Sequence, residues 1–236
     1  MFISLLIVAV TALFSIIQFF VTSGTESQNV VSTQNCSVTL VIDAGHGGED
    51  GGATGASGAL EKDINLMISK LLYSFLSLTD IDCITTRDDD VMLYKDGQSG
   101  KKKYYDVRNR VEIAKSYDNP VFISIHQNKF PIEKYNGLQV YYSKHHKDSR
   151  LLALTVQDKT KEFLQPDNNR KIKQSGKSIY VLNNLSCPAI LVECGFLSNS
   201  QEEKMLCDEE YRKKLSFVLF SAMLEYLTES GNLVSV

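Results

Sequence analysis

The chain changes its hydrophobic period in blocks, and the changes mark its elements. Val38 to Ile42 is a short continuous apolar run, as are Phe122 to Ile125 (broken only by Ser124, and entered after Pro120) and Ala189 to Val192. Runs of this length read as strands buried on both faces. Asp82 to Thr86, Leu138 to Tyr142 and Ile179 to Leu182 are further, weaker strand candidates. Elsewhere the spacing becomes three-four: Ile64, Met67, Ile68, Leu71, Leu72, Phe75 and Leu76 form one helical stripe, with Lys62, Asp63, Asn65, Ser69 and Lys70 expected on the other face. Val107 to Lys115, Ser149 (as N-cap) to Leu164, and Tyr211 to Tyr226 are the other predicted helices, and Ser200-x-x-Glu203 has the form of a capping box. Strands alternating with helices predict an α/β domain with parallel central strands.

The connections carry their own information. Gly45, Gly47, Gly48, Gly51, Gly52, Gly55 and Gly58 crowd one loop, too rich in glycine for a regular element. It lacks the Gly-Lys-Ser/Thr ending of a phosphate-binding loop and the Gly-x-Gly-x-x-Gly helix entry of a dinucleotide fold, which argues against nucleotide binding. Asp88 to Tyr105 reads as a long connection holding the basic run Lys101-Lys102-Lys103, either a solvated loop or a docking surface for an anionic polymer or partner. Gln165 to Ser178 reads as a polar, basic loop.

The N-terminus is different in kind. Phe2 to Val21 contains no charged residue, and an apolar run of about 20 residues can cross a bilayer. Val21-Thr22-Ser23 is a poor cleavage site, so residues 1–22 read as a membrane anchor in preference to a cleaved signal. A Ser-, Thr-, Gln- and Asn-rich linker at 23–35 and a catalytic domain at 36–229 follow. Either reading exports the domain, to the outer side of the cytoplasmic membrane or the cell wall. The net charge of −3 and pI near 5.8 give no reason to expect nucleic acid as a partner. Cys36, Cys83, Cys187, Cys194 and Cys207 are an odd number without Cys-x-x-Cys spacing, so they suggest neither a zinc ribbon nor a disulfide framework. They are expected mostly as small core residues. Cys194 follows Glu193, but no base is suggested for it as a nucleophile.

The chemistry lies where the strong strands end. Parallel strands of an open α/β sheet deliver ligands to their carboxyl ends, which would bring His46, His126 and Glu193 together. Glu61, in the first turn of the first helix, is favoured there by the helix dipole whether or not it meets a metal. His145 and His146 sit in a polar turn and read as surface. Two histidines, one carboxylate and an open position make a hydrolytic zinc site, and a second carboxylate not bound to the metal can move the proton. Spacing alone leaves open which of Glu61 and Glu193 fills which role. The helical His-Glu-x-x-His motif is absent.

Five ordered segments resemble the zinc-dependent N-acetylmuramoyl-L-alanine amidase family, in its type 3 catalytic domain. They are Asp43-Ala44-Gly45-His46-Gly47-Gly48, Glu61-Lys62-Asp63-Ile64-Asn65-Leu66, Thr86-Arg87, Ser124-Ile125-His126-x-Asn128 and Leu191 to Asn199, and the likeness covers nearly all of Val38 to Leu227. The resemblance implies a single α/β domain with a mixed, mostly parallel sheet flanked by helices. It implies cleavage of the amide between N-acetylmuramic acid and L-alanine in peptidoglycan, with Zn2+ held by His46, Glu61 and His126 and Glu193 as general acid/base. A short anchor and a bare catalytic domain are similar to the members that process spore cortex, so localisation or activation is expected to involve the membrane and a second exported protein. Gln127 and Lys129, the stretch Lys95 to Lys103, and Arg170-Lys171-Ile172-Lys173 depart from the family pattern. A zinc peptidase acting within the stem peptide and a catalytically silent wall-binding protein are the rival readings.

Overall fold

The computed structural model describes residues 38–95 and 97–233. The segment read as anchor or signal, the linker and Cys36 lie outside the described residues. Among the described residues no helix is long and apolar enough to cross a membrane.

The three strong apolar runs form the middle of a six-stranded sheet. The strands are β1 (Thr39–Ala44), β2 (Asp82–Thr85), β3 (Pro120–Asn128), β4 (Gln139–Tyr142), β5 (Lys173–Gln174) and β6 (Ala189–Phe196), in the order β2-β1-β3-β6-β4-β5. β2, β1, β3 and β6 are mutually parallel, β4 runs antiparallel to β6, and β5 pairs parallel with β4. The sheet is therefore mixed and mostly parallel. Continuous apolar sequence is explained by helices on both faces, since each successive side chain must then be buried. Leu40, Ile42, Ile123, Ile125, Ile190 and Val192 supply one core, and Val41, Phe122, Ala189 and Leu191 the other.

On the larger face pack α1 (Glu61–Leu76), α3 (Ser149–Phe163) and α6 (Glu209–Glu229); α2 (Lys102–Lys115) and the short α4 (Tyr180–Asn184) cover the second core, and α5 (Ser200–Cys207) leads into α6. Ile68, Leu72 and Leu76 of α1 and Leu219, Met223 and Tyr226 of α6 are fully buried. Each such aliphatic side chain is worth roughly 1.5–3 kcal/mol of transfer free energy.

Several expectations are corrected. Ile179 to Leu182 is not a strand: Ile179 is the N-cap of a helix that Tyr180 to Leu182 open, Val181 and Leu182 enter the second core, and Asn183 and Asn184 donate back to the carbonyls of Ile179 and Tyr180, each at 2.8 Å. A four-residue apolar run cannot by its period distinguish the two. Lys102 to Tyr105 is already helical, so the basic run opens α2 instead of closing a loop. Asn65 and Ser69 are fully buried: Asn65 is covered at the carboxyl end of the sheet, where it bonds the Gly45 carbonyl and Gln127, and α6 packs along α1 so that more than one stripe of it is buried. Met67, assigned to the stripe, is 46% exposed. Asn199, not Ser200, caps α5 by accepting from Gln201 and Glu202 N–H, and Asp148 precedes α3 while Ser149 begins it. Of the described cysteines only Cys194 is buried; Cys83 and Cys187 are half-buried and Cys207 is exposed.

Candidate metal centre

Topology fixes where the site lies. From β1 the chain turns to β2 on one side and then returns across it to β3 on the other, so the connections at the carboxyl ends of β1 and β3 diverge around a crevice. His46 and His126 stand there, with ring centroids 5.0 Å apart. Two glycines permit that approach. A Cβ at Gly45 would lie 2.3 Å from the His126 ring, and one at Gly52, whose φ is +67°, would lie 2.6 Å from Glu61 Oε2.

His46 itself has φ of 61°, a left-handed backbone that costs a non-glycine residue roughly 1–2 kcal/mol. Two buried guanidinium groups hold the turn. Arg87 donates to the carbonyls of Ala44 at 2.9 Å and Gly45 at 3.1 Å; Arg110 donates to those of Ala44 at 2.6 Å and His46 at 2.7 Å. Arg110 is ion-paired with Asp43 at 2.7 Å and Asp106 at 2.9 Å. Asp43 also accepts from Thr86 and Ser124. Burial would raise the Asp43 pKa, but Arg110 and the two hydroxyls hold it below the ordinary value. This is a fully satisfied buried polar network, the condition under which such groups specify one conformation.

Glu61 reaches the crevice from the first turn of α1. Its Oε1 lies 3.0 Å from His126 Nδ1 and 3.3 Å from His46 Nε2, and it also accepts the Gln127 N–H at 3.0 Å; Oε2 accepts the Ala53 N–H at 2.8 Å. Burial favours its neutral form, yet the bonds from His126 and His46 hold it well below the usual carboxylate range. His46 Nδ1 is 2.9 Å from Asp50 Oδ2. An ionised carboxylate only accepts, so in the metal-free protein Nδ1 donates to Asp50 and Nε2 to Glu61, and the ring is protonated on both nitrogens; a metal in place of the Nε2 proton would leave Nδ1–H on Asp50. Burial opposes a charge on His46, but Glu61 and Asp50 outweigh it and raise the pKa to about 9. An excess of negative charge at the two rings is what a bound cation would neutralise. One ligand atom from each of His46, Glu61 and His126 lies within 4.8 Å of the others, and two imidazole nitrogens with a carboxylate oxygen suit a divalent transition metal.

Glu193 stands beside this cluster. It is the register partner of His126 across β3 and β6. The residue keeps some exposed surface, but Oε2 is out of contact with solvent and has no hydrogen-bond partner. Burial pushes its pKa up to about 7, only partly countered by His126. Three of the four residues expected at the site thus form one cluster, and the fourth faces it without belonging to it. Cys194 points away into the core, where burial raises its pKa far above the ordinary thiol value, so it offers no thiolate. His145 is exposed and His146 half-buried in a turn remote from the sheet's carboxyl ends. A cavity of about 520 Å³, lined by Lys115, His146, Cys187 and Tyr226 among others, touches none of the cluster. The cluster itself is partly open to solvent through His46 and His126, while Glu61 is buried beneath them.

Sequence reasoning missed Asp50, Asn65 and Arg110. Asn65 was accessible, since it lies one helical turn after Glu61 on the same face; its amide donates to the Gly45 carbonyl at 3.1 Å and accepts from Gln127. Asp50 and Arg110 reach the site through loop geometry and a crossover, which no local period encodes.

An α/β domain with a His-Glu-His cluster at the switch point of its sheet is the class that fold and site define. The chain belongs to the N-acetylmuramoyl-L-alanine amidase family, whose type 3 domain matches residues 40–224. It is 33% identical over 195 residues to the germination-specific N-acetylmuramoyl-L-alanine amidase of Bacillus subtilis (strain 168), covering 82% of this chain and 81% of that one. Among solved structures, the CwlD amidase from Clostridioides difficile, in complex with the GerS lipoprotein, superposes with a TM-score of 0.76 at 38% identity, over 81% of this chain and 98% of that one. The amidase AmiC2 of Nostoc punctiforme gives 0.70 at 30%, with 81% and 98% covered.

Proposed function

We propose that this protein is an exported, zinc-dependent amidase that cleaves the amide between N-acetylmuramic acid and L-alanine in peptidoglycan. The observation that carries the reading is the unpartnered, buried carboxylate oxygen of Glu193 beside the His46, Glu61 and His126 cluster, in a chain of this family. His46, Glu61 and His126 would hold the zinc. When bound, the ion lowers the pKa of water toward neutrality and polarises the amide carbonyl.

The chain's own groups do the rest. The Glu193 carboxylate takes a proton from the attacking water and returns it to the amide nitrogen, which leaves as the free amine of L-alanine. Asp50 keeps the proton on Nδ1 of His46 and so keeps Nε2 available. The Ala53 and Gln127 N–H groups keep Glu61 ionised and aimed at both rings.

Two finer assignments belong to this proposal. A germination-specific relative and the CwlD likeness support a role in modifying spore-cortex peptidoglycan. The apolar Phe2 to Val21 run supports tethering at the outer side of the cytoplasmic membrane, and the lipoprotein complex of the CwlD structure supports an exported protein partner. The test is product analysis with purified protein and muropeptides, with and without added zinc. Glycan bearing free lactyl carboxylates, together with peptides that begin in a free L-alanine amine, is the expected result. Alanine left on the sugar would instead identify a peptidase, and binding without cleavage a wall-binding protein.

A further inference from the structure

On the flank of Glu193 opposite β3, strand β4 places Gln139 directly across from it. Residues opposed in this way bring their side chains to within about 5 Å at Cβ. Gln139 Oε1 accepts from Arg170 Nη1 at 3.2 Å, so one side chain separates that guanidinium from the carboxylate beside the metal cluster. Arg170 Cζ lies over Phe196, 4.4 Å from its ring centroid, and 6.0 Å from that of Tyr135; Nε donates to the Asn136 carbonyl at 2.6 Å. Stacking and that bond fix the plane of the fork. Among the described residues no carboxylate lies within ion-pair distance of Arg170, and three of its five N–H donors have no partner. The group is half-buried, with the exposed Phe130 and Tyr135 beside it.

The other flank of the cluster contrasts with this one. There Lys62, Lys102 and Lys103 are each paired with a carboxylate, Asp90, Glu49 and Asp50, at 2.6, 2.6 and 2.8 Å. Those three charges are neutralised, while Lys129 on that side donates to the Thr54 carbonyl at 2.8 Å. On the β4 and β5 side the Arg170 charge is not, and Lys171 and Lys173 are exposed there as well.

We propose that Arg170 is a specificity-determining residue that clamps a carboxylate on the acidic peptide arm of the substrate, one residue beyond the scissile amide. The inference rests on the amidase reading above. In such a substrate the lactyl carboxyl is consumed in the amide, so the anion nearest the cleaved bond lies on the peptide side. The arm therefore crosses the edge formed by β4 and β5, and the glycan lies toward the glycine-rich loop. A planar fork with three unpartnered N–H donors, two of them on Nη2, matches a carboxylate in geometry and in charge.

The test uses the full-length, zinc-loaded protein and two synthetic substrates, a muramoyl-L-alanyl-γ-D-glutamyl peptide with its α-carboxylate free and the same compound as the α-carboxamide. Wild type is expected to prefer the carboxylate by roughly 10- to 100-fold in kcat/KM, mainly through KM, as for a hydrogen bond to a charged group. Arg170→Gln should bring that preference close to one, and Arg170→Lys, which keeps the charge but not the fork, should restore part of it. Equal rates of wild type on both compounds would overturn the clamp and leave the amidase reading standing, and this comparison decides even where a variant does not fold. A folded Arg170→Gln that keeps the wild-type preference also overturns it. Cleavage of neither compound by wild type would instead overturn the amidase reading on which the clamp depends.

Discussion

Arg110 Nη2 donates to the carbonyl oxygen of His46 at 2.7 Å, tying helix α2 to the backbone of a candidate metal ligand. The same guanidinium is paired with Asp43, at the end of β1, so strand, turn and helix share one buried cation. Removing it leaves the Asp43 charge buried and the left-handed His46 unsupported. Arg110→Met should therefore lower unfolding free energy in urea by about 3–5 kcal/mol, the range for breaking a buried pair from one side. Adding Asp43→Asn should recover part of that loss, because the stranded charge goes with it. A single variant as stable as wild type would show that the network is dispensable.

Asp50 makes a milder prediction. It touches no other member of the cluster, but it fixes the tautomer of His46 and is itself held by Lys103 at 2.8 Å. Asp50→Asn can accept from the same nitrogen but lacks the charge. A loss of roughly 10- to 100-fold in metal affinity is expected, with little change in melting temperature of the metal-free domain. Competition against a fluorescent chelator measures the first and calorimetry the second. Unchanged affinity would remove Asp50 from the site.

Metal removal separates site from fold. The three candidate ligands lie at the carboxyl ends of the strands, outside both apolar cores. Chelation should accordingly abolish amide cleavage while the domain still unfolds in one cooperative transition, and stoichiometric zinc should restore activity. Persistence of zinc in a His46→Ala, His126→Ala double variant would rule out this centre. Cooperative unfolding by the chelator itself would mean the ion is structural, as in small zinc domains.

How much of this was legible in the sequence follows from which physical signals are local. Val38 to Ile42, Phe122 to Ile125 and Ala189 to Val192 declare themselves because a strand covered on both faces has no polar alternation to dilute it. The meeting of His46 with His126 at one edge needed only the rule for parallel strand ends, whereas the order of the strands in the sheet has no local signal. Ile179 to Leu182 failed because four apolar residues satisfy either period, and Asn65 failed because α1 is buried on more than one stripe. The cysteines failed for another reason: Cys83, Cys187 and Cys207 are small enough to sit at a half-covered margin without cost. Arg110 has one local partner, Asp106 four residues before it, but its partners at the site, Asp43 and His46, lie more than sixty residues away.

Glu193 gives the sharpest test, because its chemistry and its energetics predict different things. Burial raises its folded pKa to about 7, above the ordinary carboxylate range. A group whose folded pKa is raised contributes stability that is fully present below the unfolded value and is lost as pH rises through the folded one. In the metal-free protein the ionised Glu193 should thus cost on the order of 3 kcal/mol above pH 7 relative to pH 4.5. Glu193→Gln is nearly isosteric and does not titrate. Without metal it should melt higher than wild type at pH 8, and the gap should close by pH 4.5. With zinc it should keep the ion but lose roughly 10²- to 10⁴-fold in amide cleavage, since the proton has no carrier. Glu61→Gln should do the opposite to metal, weakening it, because a neutral amide is a poorer ligand than a carboxylate. Zinc lost from the Glu193 variant and retained in the Glu61 variant would exchange the two roles, and full activity in both would end the mechanism.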